Sequence, residues 1–158
     1  MKFRAAFTLS AVLVLLAAAC AREEPSITPR ESPAPVGALA IEVHRSSTCE
    51  CCGRYEAYLR QNGVQVSSVI EEDVAGLKES LGIPADMRSC HTSLVEGYFV
   101  EGHVPLEAIR QLLDTRPGID GIALPGMPPG APGMEGSGSG PLTIYAIDGG
   151  SVTEFTES

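Results

Sequence analysis

Apolar and polar positions alternate in short blocks from Leu39 onward. Leu39 to His44 (LAIEVH) is apolar and β-branched enough for a buried strand. Arg45 to Thr48 is a polar turn leading into Cys49-Glu50-Cys51-Cys52. From Gly53 the period becomes helical: Tyr55, Tyr58 and Leu59 share one face, and Gly63 follows Asn62 as a stop. Val64 to Ile70 alternates as a second strand. Asp73 is placed to cap a helix carrying Val74, Leu77 and Leu81, ended by Gly82 and Pro84. Ser93 to Val95 and Tyr98 to Val100 flank Glu96-Gly97, the signature of a tight antiparallel hairpin. Pro105 opens a further helix with Leu106, Ile109, Leu112 and Leu113 inward. Leu142 to Ile147 and Ser151 to Phe155, joined by Asp148-Gly149-Gly150, read as a terminal hairpin. The order β-α-β-α-β-β-α predicts an α/β sandwich around a mixed sheet.

Two stretches break this pattern. Residues 116–140 hold 8 Gly and 5 Pro among 25 residues, a long loop of the kind that is either functional or disordered. It repeats one short theme, Pro125-Gly126-Met127-Pro128 and Pro132-Gly133-Met134-Glu135. At the other end, Lys2 and Arg4 precede the apolar run Ala5 to Ala19, which is too short for a spanning helix and fits a signal peptide. Leu15-Leu16-Ala17-Ala18-Ala19-Cys20 resembles a bacterial lipobox, with Cys20 as the lipidated residue and the outer membrane as the expected anchorage. Residues 21–38 contain four Pro and few large apolar groups, so they read as a tether. The expected organisation is therefore a leader over 1–20, a tether over 21–38 and one folded domain over 39–158.

The 158 residues are 44% hydrophobic and 20% charged, with a formal net charge of -9. Removing residues 1–20 deletes two basic residues and no acidic one. Such an acidic chain is unsuited to nucleic acid or an anionic membrane surface, which leaves the lipid anchor as the membrane contact. No Ser-His-Asp set, phosphate loop or carboxylate pair stands out. Five Cys and three His in a chain of this size are the unusual feature.

Cys49 and Cys52 form a C-x-x-C pair at a strand-to-helix junction, where free N–H groups and the helix dipole favour thiolate. Cys51 adds a third sulfur. Cys90, in Ser89-Cys90-His91-Thr92, would face the triplet in a thioredoxin-like arrangement. Three readings compete for the four sulfurs. Two structural disulfides suit an exported chain, but three Cys in four residues are poorly spaced for two unstrained staples. Thiol–disulfide exchange needs only Cys49 and Cys52. A soft-metal site uses all four, and Met127, Met134 and His103 would extend it. Thiolate, thioether and imidazole together select Cu(I) over hard cations. Zinc ranks second, because it has little use for thioethers. His44 reads as a structural histidine. Four sulfurs exceed the needs of one Cu(I), so a multi-copper thiolate cluster is expected, and a metal-binding role is favoured over an enzymatic one.

The ordered set Cys49-Glu50-Cys51-Cys52, Gly82-Ile83-Pro84, Ser89-Cys90-His91-Thr92, Gly97-Tyr98, Glu101-Gly102-His103-Val104-Pro105 and the two Pro-Gly-Met pieces resembles the CopG-type copper-resistance family. The resemblance implies a thioredoxin-like fold and a role in handling copper, with silver a further candidate, in the cell envelope. Other envelope copper-handling proteins are then the expected partners. It also implies that Cys49, Cys51, Cys52 and Cys90 are the functional sulfurs. Glu50 and Tyr55 depart from the family's common Gly and nearby Trp, and neither change removes a candidate ligand.

Overall fold

A computed structural model describes residues 38–138 and 140–158 of the chain. The expected leader over 1–20 with Cys20, the expected lipidation residue, and all but the end of the expected tether over 21–38, lie outside the described residues. Among the described residues no helix is long and apolar enough to cross a membrane.

The elements run β1 (Ala40–Arg45), α1 (Glu50–Gln61), β2 (Gln65–Ile70), α2 (Val74–Ser80), β3 (His91–Val95), β4 (Tyr98–Glu101), α3 (Leu106–Thr115), β5 (Gly121–Ala123), β6 (Thr143–Asp148) and β7 (Ser151–Glu157). A 3-10 turn, Ala85–Met87, precedes β3. All seven strands form one mixed sheet in the order β2-β1-β3-β4-β5-β6-β7. β1 pairs parallel with β2 and antiparallel with β3, and β4 pairs parallel with β5. The terminal hairpin extends the sheet through β5, with a register shift between Ile144 and Tyr145.

Strand alternation divides the apolar residues between two faces. Ile41, Val43, Val95, Val100 and Ile122 meet Tyr55 and Leu59 of α1 and Ile109 and Leu112 of α3. Phe99, Ala123 and Ile147 meet Ile83, with Leu81 and Met87 alongside, on the other face. Helices thus cover both faces, and the fold is the expected thioredoxin-like sandwich.

Two helix starts differ from the sequence reading. α1 starts at Glu50 rather than Gly53, with Cys49 as its N-cap, so the cysteine triplet itself forms the first turn. Pro105 is the N-cap of α3 rather than its first helical residue. Its φ of -59° and ψ of 142° are extended, as a residue before a helix requires. Asp73 caps α2 as anticipated, its side chain accepting from Gly76 N–H at 2.8 Å. β5 arises inside the stretch read as loop.

Candidate metal centre

Three backbone segments deliver the candidate ligands to the start of α1. The β1–α1 turn brings Cys49, Cys51 and Cys52 on the first helical turn, where the backbone N–H groups lack intrahelical partners. Cys90 stands just before β3, which lies beside β1. His103 follows β4 after Gly102. Gly102 has φ +80°, and a Cβ there would lie 2.6 Å from the Leu124 carbonyl and 2.7 Å from Ser89 Cβ, so this turn needs glycine.

The four sulfurs of Cys49, Cys51, Cys52 and Cys90 lie within 4.8 Å of one another. Cys49 and Cys52 are joined as a disulfide, while Cys51 and Cys90 are free thiols. Cys51 Sγ sits between the groups, 3.5 Å from Cys49 Sγ and 3.7 Å from Cys90 Sγ. The Sδ of Met127 lies 3.9 Å from Cys51 Sγ, and the side chain is otherwise exposed. Met134 instead packs against the apolar core beside α1 and α3. The repeated Pro-Gly-Met pieces therefore have different surroundings. One presents a thioether to the sulfurs, and the other anchors its segment of the loop.

Two buried histidines back the cysteines. Cys90 Sγ is 3.1 Å from His103 Nε2 and 3.3 Å from His91 Nδ1. His103 Nδ1 lies 2.7 Å from the Pro132 carbonyl oxygen, which can only accept. Nδ1 therefore carries the ring proton and Nε2 presents its lone pair to the sulfur side. Burial holds His103 below the ordinary histidine range, against the raising effect of the Pro132 bond, and Arg54 lowers it further. His91 is pushed lower still by burial, with His103, Lys78 and Arg45 adding to it. Its Nε2 is buried without a hydrogen-bond partner. Its ring is held between Tyr55 and His103, with centroids at 4.7 and 4.9 Å. The buried Tyr55 hydroxyl is pushed above its ordinary range by desolvation, with Tyr58 and Cys90 adding to it, and donates to the Val104 carbonyl at 2.8 Å. Tyr55 thus fills the aromatic position under the site.

Burial, and the adjacent Cys51, push the Cys90 thiol up to about 12. Without metal, Cys90 is a protonated donor facing the His103 lone pair. A soft cation would have to displace that proton, after which the sulfur is a strong ligand. The donor set fits Cu(I): up to four thiolates once the disulfide is reduced, one thioether and two neutral imidazoles. The four cysteines alone would also satisfy tetrahedral Zn(II).

The loop carrying Met127 is tied at two points. Ser89 Oγ donates to the Gly126 carbonyl, and Gly126 N–H donates to the Arg88 carbonyl at 3.2 Å. Arg54 Nε donates to the Gly133 carbonyl at 2.9 Å. Gly133, at φ +76°, passes so close to α1 that a Cβ would lie 2.6 Å from Tyr55 N.

His91, which adjoins Cys90 in the sequence, stands outside the expected ligand set, yet its ring lies against the Cys90 sulfur. Burial of the ring at the end of an inner strand is what brings it to the sulfurs. His44, read as structural, is bound at both ring nitrogens by Glu42 and Glu71, each at 2.7 Å.

Residues 87–134 match a family model described as "Protein of unknown function, DUF411". No curated protein matches the chain. Two solved structures match, described as copper resistance protein copG in form 2 and form 1. Each is 40% identical, over 77% of this chain and 98% of theirs, with TM-scores of 0.71 and 0.70. At this identity and coverage, the chain belongs to the CopG-type copper-resistance family.

Proposed function

We propose that the protein is a cell-envelope copper-binding protein that holds Cu(I) as a multi-copper thiolate cluster, in copper resistance or homeostasis. The convergence of four cysteine sulfurs within 4.8 Å, at a helix N-terminus, carries this reading. A single Cu(I) does not need so many soft donors, and thiolates can bridge ions. Cys49, Cys51, Cys52 and Cys90 would supply the thiolates. His103 and Met127, which lie beside Cys90 and Cys51, would complete the shell, and His91 would add a third neutral donor against Cys90. Met134 would act through the loop. Export and anchoring through Cys20 rest on the leader sequence.

Reducing the Cys49–Cys52 disulfide would make two further thiolates available, so loading would depend on redox state. That same disulfide favours a second reading, an exported thiol–disulfide oxidoreductase, since Cys51 Sγ lies 3.5 Å from Cys49 Sγ. Cys90→Ser separates the two. The copper reading expects a large loss of bound Cu(I) with little change in reduction of a model disulfide. Copper binding unchanged by Cys90→Ser, with turnover dependent on Cys49 and Cys52, would favour the enzyme.

A further inference from the structure

The face of the sheet opposite the cysteines carries a buried charge pair that copper binding as described above does not use. Lys78 of α2 and Glu101 of β4 are 4% and 0% exposed. Glu101 Oε1 accepts from Lys78 Nζ at 2.5 Å and from the Ser89 backbone N–H at 2.5 Å. Its Oε2 accepts from the Thr92 hydroxyl at 2.6 Å, and Lys78 Nζ also donates to Thr92 Oγ1 at 3.0 Å. Thr92 and Glu101 are direct cross-strand partners.

Desolvating two charges costs several kcal/mol per ion, and apolar residues of similar volume often serve a fold as well. Packing alone therefore does not explain this pair. The Ser89 contact does. Ser89 lies between the 3-10 turn and β3, and among the described residues its N–H has no acceptor other than Glu101. One carboxylate thus grips the backbone before Cys90 and belongs to the segment that leads through Gly102 into His103. The side chains of Cys90 and His103 then meet on the opposite face, 3.1 Å apart.

We propose that Glu101, with Lys78 as its counter-ion, is a positioning residue for the metal centre: through the Ser89 amide it holds Cys90 Sγ within reach of both Cys51 and His103. Glu101 touches none of the candidate ligand atoms. The proposal rests on the copper reading above.

Two double variants of the full chain test it. Lys78→Met with Glu101→Gln removes both charges but keeps a carbonyl acceptor for Ser89. Lys78→Met with Glu101→Leu removes the charges and the acceptor. Folding is followed by thermal unfolding, and Cu(I) binding to the reduced chain by competition with a chromophoric chelator and by copper–thiolate absorption. The Gln variant should bind as wild type does. The Leu variant should fold yet bind Cu(I) about 10–100-fold more weakly, with an altered thiolate spectrum. Equal binding by the two variants, beside a copper-loaded wild type, overturns the positioning role alone. A wild-type chain that takes up no Cu(I) overturns the copper reading itself. If the Leu variant does not fold, amide exchange in the wild type decides. Protection of Ser89 N–H supports the proposal, and exchange at the rate of a free loop amide overturns it.

Discussion

Gly133→Ala should loosen the loop that carries Met127, and the size of the effect follows from the local geometry. At φ +76° an alanine pays about 1–2 kcal/mol for the left-handed conformation. Its Cβ would lie 2.6 Å from Tyr55 N and 2.9 Å from Arg54 C and Tyr55 Cα. These are helix backbone atoms, so the loop must move rather than a flexible side chain. Movement weakens the Arg54–Gly133 and His103–Pro132 hydrogen bonds, each worth about 0.5–1.5 kcal/mol net. The total is about 2–5 kcal/mol, limited by the cost of releasing the loop altogether. Gly136→Ala is the matched control. Gly136 also has positive φ, at +90°, but its Cβ would meet only Pro129 Cβ at 3.6 Å. That variant should lose about 1–2 kcal/mol, from backbone strain alone. Urea denaturation of the reduced, copper-free chain gives the stabilities, and chelator competition gives Cu(I) affinity. Gly133→Ala should be the less stable by about 1–3 kcal/mol, by the same strain and hydrogen-bond arithmetic. It should also bind Cu(I) about tenfold more weakly, because His103 and Met127 lose their supports. Equal stability and equal affinity in the two variants would refute the idea that the loop is strapped to α1.

The two loop methionines should separate by readout. Met127→Leu should change stability by less than about 0.5 kcal/mol, since the side chain is 52% exposed, while weakening Cu(I) binding in a competition assay. Met134→Leu keeps its volume against the core and should leave copper affinity unchanged, at a stability cost below about 1.5 kcal/mol. The reverse pattern would show that the wrong thioether has been assigned. The buried Glu56 should make stability fall in acid. Burial pushes its carboxyl up, but hydrogen bonds from Ser68, Arg45 and Arg60 outweigh this and hold it below its ordinary range. Its contribution is therefore complete above the unfolded-state value, about 4.3, and is lost as pH falls through the lower folded value. Denaturation midpoints measured through this range should drop for wild type and flatten for Glu56→Gln. An equal drop in both would assign the acid loss to other groups.

The elements that bury apolar residues at a regular period were legible in the sequence: β1, the α1 face of Tyr55 and Leu59, the β3–β4 hairpin and α3 all stand where the pattern placed them. β5 was not, because Gly121-Ile122-Ala123 is three residues long and lies among glycines and prolines, so no period can build up. Its identity comes from pairing with β4 and β6, which is tertiary information. α2 was placed by Val74, Leu77 and Leu81, yet its fully buried residue is Lys78. A lysine next to an apolar stripe reads as solvated surface until its partner, 23 residues away, is known. The same holds for Glu101 and His91. For the metal centre, the count and type of donors were visible in the sequence, as was the place of the triplet at a helix start. The difference between Met127 and Met134 was not, since identical Pro-Gly-Met contexts carry no information about which turn faces the sulfurs.

The central claim is that four cysteines act together on more than one copper ion. Anaerobic titration of the fully reduced chain with Cu(I), followed by metal analysis and X-ray absorption, addresses it directly. The account predicts more than one Cu(I) per chain, sulfur-rich coordination with copper–copper scattering, and loss of that scattering in Cys90→Ser. A single ion or none, or scattering unaffected by removing the Cys90 sulfur, would contradict it.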